Sequence, residues 1–107
     1  MKKHTDIESK RQQKANNSLC DAFLQLENRS EVVDLLRDLC TPSELEALTD
    51  RWWVLLLLQQ DLSYRDISER TGVSVTTIGR VARYWREGAG GYRLALKRLG
   101  IKSKESL

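Results

Sequence analysis

Proline and histidine each occur once in the 107 residues, and cysteine only twice. With one proline and few strand-like runs, the chain reads as all-α. Cys20 and Cys40 sit among apolar residues at helical spacing, so they read as core thiols of a cytosolic protein and not as a disulfide. There is no Cys-x-x-Cys pair and no second histidine, so no metal site is expected, and His4 lies in a polar leader. The longest apolar run, Trp52 to Leu58, falls far short of the ~20 residues that span a bilayer. No apolar segment of the secretory kind opens the chain, and the expectation is a cytoplasmic protein with no membrane partner. Asp50, Asp61 and Asp66 do not form a set that would hold a catalytic metal. No catalytic residue is therefore assigned, and an enzyme fragment such as a transposase or recombinase domain is disfavoured.

What is present is ordinary for one globular domain: 31% charged and 40% hydrophobic residues. The net charge is only +3, but it is unevenly placed. Residues 1–63 carry 8 Lys/Arg against 11 Asp/Glu, and residues 64–107 carry 10 against 4. The positive end of the chain is the end a polyanion would meet.

Residues 1–14 are polar and basic, either a flexible arm or the exposed start of a first helix. A single helical domain is expected over 15–107, with dimerisation helices over 15–62. Leu19, Ala22, Phe23 and Leu26 recur at helical spacing and mark one apolar stripe. Asn28-Arg29 breaks that helix, and Ser30 is placed as the cap of the next, whose apolar positions run from Val32 to Cys40. Thr41-Pro42-Ser43-Glu44 is a strong helix start, with a threonine cap, proline at the first position and glutamate at the third. The helix it opens should reach about Gln60, with Leu45 and Leu48 inward. From Trp52 to Leu58 it is apolar on every side, more than a small monomer readily covers. A second copy of the chain is expected to cover part of it.

The organising stretch is residues 63–86. Ser63 caps a short helix with Asp66 three residues on, and this helix should stop near Arg70. Gly72 supplies the positive φ a sharp corner needs, and Ser74 caps a second helix. This is helix-turn-helix spacing. At about 100° per residue, Val75, Ile78, Val81, Ala82 and Trp85 share one arc of the second helix. Thr76, Thr77, Gly79, Arg80, Arg83 and Arg86 share the other, with Tyr84 at its edge. Hydroxyls, a glycine allowing close approach and guanidinium groups suit phosphate oxygens and base edges of double-stranded DNA. The alternative is a helical adaptor that turns the same basic face towards an acidic protein. Glycines 88, 90 and 91 form a hinge, and a last helix over 91–99 should pack through Leu94, Ala95 and Leu99 while exposing Lys97 and Arg98.

With these residues in view, the chain resembles the Trp repressor family, in particular its YerC/YecD-like branch, over residues 19–99. The helix-turn-helix alone is common to many families. The segment from Leu39 to Leu48 with its Thr-Pro-Ser-Glu, then Arg51, then Gly90-Gly91-Tyr92-Arg93, make the likeness specific. The resemblance implies an interlocked all-α homodimer that binds a two-fold operator and represses transcription. It implies that Tyr64, Arg65 and Ser68 face phosphates, and that Val75, Thr76, Thr77, Gly79, Arg80 and Arg83 lie in or beside the major groove. Arg51 and Arg80 match the arginines between which the Trp repressor holds free tryptophan, and Thr41 matches a residue lining that pocket. Val81 stands where that repressor has glycine, and Trp52 where valine is usual; both should crowd the pocket. The expectation is a regulator that carries no cofactor and does not use free tryptophan as corepressor, with Trp52 or another internal side chain filling the space; a different tryptophan-like effector stays open.

Overall fold

The computed structural model describes residues 6–104, which form six helices and no strand. In chain order they are α1 (Asp6–Leu24), α2 (Arg29–Leu39), α3 (Pro42–Leu58), α4 (Tyr64–Thr71), α5 (Val75–Glu87) and α6 (Gly91–Leu99). The chain separates into two compact units, residues 1–41 and 42–107.

The first unit holds α1 and α2. The leader is helical from Asp6 onward, the second of its two readings; residues 1–5 lie outside the described part. No residue of α1 or α2 is buried. Phe23 and Leu26 are half-buried, while Leu19 and Leu39 are exposed. Cys20 is exposed and Cys40 half-buried, both as free thiols, which corrects their placement in a core. A stripe identifies the face that wants cover; it does not say whether the same chain supplies it. The cap of α2 is Asn28, not Ser30. Asn28 has extended backbone, and its side-chain oxygen accepts from the Glu31 amide at 3.0 Å. The Glu31 carboxylate reaches back to accept from the Glu27 amide at 2.8 Å. Asparagine caps as well as serine, and only a cap at 28 puts a glutamate three residues on to return the bond.

The second unit holds α3 to α6. Here α5 packs on α3, α4 and α6, and α4 also packs on α3. Its core is built from Val54, Leu55, Leu57 and Leu58 of α3, Ile67 of α4, Val73 of the turn, Ile78, Val81 and Ala82 of α5, and Leu96 of α6. Trp52, Leu56, Trp85 and Tyr92 lie half-buried against it. Even so, α3 is not covered all round: Trp53 is 54% exposed, and Leu48 faces out instead of inward. The helix ends at Leu58, two residues before the expected Gln60, because successive amides fold back. Gln60 donates to the Leu57 carbonyl and Asp61 to the Leu58 carbonyl, and Asp61 takes a left-handed φ of 60°. Aspartate tolerates that region better than most residues.

On α6 the buried residue is Leu96, while Leu94 and Leu99 point away from the core. The face meeting α5 is the one that carries Leu96 and the half-buried Tyr92, one turn apart. Gly100, with φ of 73°, ends the helix: its amide bonds the Lys97 carbonyl, and the Ile101 amide bonds the Leu96 carbonyl at 2.9 Å.

Leu55 has no exposed surface and sits at the centre of this core. Leu55→Ala is expected to destabilise the protein by about 2–5 kcal/mol, read as a lowered urea midpoint. A loss under about 0.5 kcal/mol, the usual size for a surface position, would place the core elsewhere.

Candidate nucleic-acid interface

The corner between α4 and α5 is held by short side-chain bonds that the sequence writes locally. Ser63 Oγ accepts from the Asp66 amide at 3.1 Å and starts α4. Gly72, at φ 75°, closes it, its amide bonding the Ser68 carbonyl at 2.8 Å. A side chain at that φ would be strained, so glycine is required. Thr71 Oγ1 then donates to the Ile67 carbonyl at 2.8 Å and accepts from the Val73 amide at 3.0 Å. Ser68 Oγ donates to the Val73 carbonyl at 2.7 Å. Ser74 Oγ accepts from the Thr77 amide and donates to Thr77 Oγ1, which starts α5. Ile67 and Val73 carry this corner into the core.

Ser68, expected to face a phosphate, takes part in this network. Its single hydroxyl proton is committed to Val73, so only acceptor capacity remains, and a phosphate oxygen needs a donor. In this arrangement Ser68 braces the corner. The Thr71 brace was not anticipated; a threonine two residues before a buried turn residue is the pattern that could have shown it.

Beyond the corner, α5 divides by face. Ile78, Val81 and Ala82 are buried and Trp85 is half-buried. Val75, expected on the same arc, is 53% exposed, because the helix has only begun there and the core lies further along. The opposite face presents Thr76, Arg80, Arg83, Tyr84 and Arg86 to solvent, with Thr77 half-buried. The ring of Tyr64, at the start of α4, lies over Gly79, where an added Cβ would meet only Tyr64 Cε2 at 3.9 Å. Arg65 pairs with Glu69 at 3.6 Å and Arg83 with Glu87 at 3.8 Å. Both pairs are well exposed, hold little energy and would yield readily to a phosphate. Arg80 has no hydrogen bond or ion pair among the described residues.

The far end of α5 is closed by a residue to which no role had been given. Arg93 Nε donates to the Trp85 carbonyl and Arg93 Nη2 to the Arg86 carbonyl, each at 2.8 Å. A cation on the last carbonyls satisfies orphan acceptors and opposes the negative end of the helix dipole. Gly88 is needed at this end as well, since any Cβ there would collide with the Tyr84 carbonyl oxygen.

Arg51, Arg80 and Val81, three of the four residues assigned to an effector pocket, line one hollow of about 250 Å³. Tyr84 and Tyr92 complete its lining, and neither had been assigned to it. Thr41 belongs to the first unit. Among the described residues no group of His, Cys, Asp or Glu could hold a metal ion, and no helix is long and apolar enough to cross a membrane.

Residues 14–100 match the family model of the Trp repressor protein. The chain belongs to the Trp repressor family. Relatives of known sequence or structure agree. The uncharacterized protein YerC of Bacillus subtilis is 33% identical over 90 residues, covering 84% of this chain and 86% of that one, which places the chain in the YerC-like branch. A TrpR-like protein from Eubacterium eligens superposes with a TM-score of 0.79 at 37% identity, covering 85% of this chain and 94% of that one. A Staphylococcus aureus protein described as a candidate Trp repressor gives 0.81 at 36% identity, covering 94% and 100%. The Trp repressor family is one of helical DNA-binding regulators, not of enzymes.

The corner can be tested apart from any ligand. Ser68→Ala removes the donor to Val73 and is expected to lower stability by about 1–2 kcal/mol. The slope of DNA affinity against salt should stay the same, because no phosphate contact is lost. A slope shallower by about one unit would return Ser68 to the phosphates.

Proposed function

We propose that this chain is a cytoplasmic transcriptional repressor that binds a two-fold operator in double-stranded DNA as a homodimer. The observation that carries the reading is the split of α5. Its reverse side is buried through Ile78, Val81 and Ala82, while Thr76, Arg80 and Arg83 project outward from a braced corner. In this reading α5 enters the major groove. Arg80, with nothing to release, meets a guanine edge; Thr76 and Val75 offer methyl groups to thymine; Thr77 and Arg83 lie beside the groove. Tyr64 and Arg65 at the start of α4 hold phosphates, and the lack of a side chain at Gly79, beside the Tyr64 ring, lets the backbone come close to the duplex.

The homodimer rests on uncovered apolar surface. With no residue of α1 or α2 buried, and with Leu19, Leu39, Leu48, Trp53, Leu94 and Leu99 exposed, one chain leaves much of its apolar face open to water. A second copy buries it and sets two α5 helices about one turn of DNA apart.

Free tryptophan is not the corepressor. The hollow beside Arg51 and Arg80, about 250 Å³, is lined also by the side chains of Val81, Tyr84 and Tyr92, which take up space beside the two guanidiniums. Calorimetry with tryptophan should give no heat of binding; affinity near micromolar, about 8 kcal/mol, would overturn this part.

The main test is selection of bound sequences from a random duplex pool, followed by two variants. Arg80→Ala should lose about 1–3 kcal/mol on the selected operator and relax preference at one base pair. Gly79→Ala has room for its methyl group and should fold as stably as the parent or slightly better, yet bind the operator more weakly. Equal losses on operator and random duplex for Arg80→Ala would end the base-reading role. Undiminished binding by Gly79→Ala would end the close approach. Sedimentation should show a dimer that unfolds at higher temperature as protein concentration rises, and a monomer at every concentration would exclude the two-fold operator.

A further inference from the structure

A second concavity shares no lining residue with the Arg51 hollow. It is a cleft of about 490 Å³ between the end of α5, α6 and the segment that follows α6. Its floor is apolar, from Trp85, Leu96 and Ile101, and its rim is cationic, from Arg86, Arg93, Lys97 and Lys102, with the Arg86 guanidinium over one face of the Trp85 ring at 5.3 Å. Among the described residues no carboxylate lines it. The size falls within the range of small-molecule sites, and an apolar floor with a few convergent polar groups is their usual construction.

The walls are fixed by hydrogen bonds. Gln59 is buried, with Nε2 donating to the Leu55 carbonyl, and its own carbonyl accepts from the Lys104 amide at 2.7 Å. The Ile101 amide bonds the Leu96 carbonyl at 2.9 Å, which folds the segment after α6 back beside the cleft. Arg93 is fixed as well. Two of its five N–H groups hold the Trp85 and Arg86 carbonyls, and three remain to meet an anion. On α6, at about 100° per residue, Arg93, Leu96 and Lys97 share the arc beside the cleft, and Leu94 and Leu99 lie outside it.

We propose that this cleft binds a small aromatic monocarboxylate, its flat body on Trp85, Leu96 and Ile101 and its carboxylate among Arg93, Lys97 and Lys102. Charge complementarity selects the class. Arg93, Lys97 and Lys102 converge where no carboxylate of the described residues lines the cleft, so an anion is attracted; the floor rewards a ligand with an apolar body over a bare ion. The site does not depend on the DNA-binding reading, because Arg93, Lys97 and Lys102, which would hold the carboxylate, are not assigned to the duplex.

The test is a heteronuclear NMR titration of the full chain with 2-naphthoate, with 2-naphthamide and inorganic phosphate as the other arms. Naphthoate should move the Trp85 indole N–H and the Leu96 and Ile101 methyl signals and saturate. The neutral amide should bind at least about fivefold more weakly, and the exposed pair Lys97→Gln with Lys102→Gln should weaken naphthoate by a similar factor. Because both lysines are exposed, the variant is expected to fold, and its unchanged amide spectrum away from the cleft would verify this. Equal binding of the amide, equal shifts with phosphate alone, indifference to the double variant, shifts centred on Tyr84 and Tyr92, or no saturable shift would each overturn the proposal.

Discussion

The anchoring of one side of α5 governs what its other side is able to do. Ile78, Val81 and Ala82 sit in the same core as Leu55 and Ile67, so the helix can neither roll nor slide without exposing them. An exposed arginine on a loosely held helix would lose side-chain and backbone freedom together on meeting a ligand. On a pinned helix only the side-chain part remains to be lost. The corner bonds of Ser68, Thr71 and Ser74 extend the same restraint to α4, so that the two helices offer their outer residues as one rigid surface.

Much of this architecture was legible because its determinants are local. Ser63, Gly72, Ser74 and the Thr-Pro-Ser-Glu start act through bonds spanning three or four residues, and residue type with spacing is enough to read them. Where two local signals competed, the choice was harder. Asn28 and Ser30 are both able caps, and the glutamate at 31 decided between them. The division of α5 into faces followed from periodicity, but Val75 did not, since a period says nothing about how far along a helix the core extends. Leu94 and Leu99 failed for the same reason, while Leu96 took the buried place.

What the sequence hid was mostly contact between elements far apart along the chain. Nothing local marks Arg93 as the closing cation of α5, because its partners are seven and eight residues back across a glycine loop. Nor does spacing bring Tyr84 and Tyr92 to the hollow beside Arg51. The polar role of Ser68 was legible as a hydroxyl on the correct helix, but not its direction. The first unit poses the opposite problem: its stripes were clear, and the single chain leaves them largely uncovered. Apolar surface of that extent is stable in water only when something lies over it.

The Arg93 clamp has a consequence for the loop it spans. Surface loops with several glycines usually accept extra residues, since lengthening them adds little closure entropy. Here the guanidinium must return to two particular carbonyls, while Gly88 is wedged against Tyr84. One added residue between 88 and 92 would carry the arginine past its acceptors and leave the helix terminus open. The spacing of this connection is therefore as fixed as that of a disulfide loop, although no covalent bond closes it.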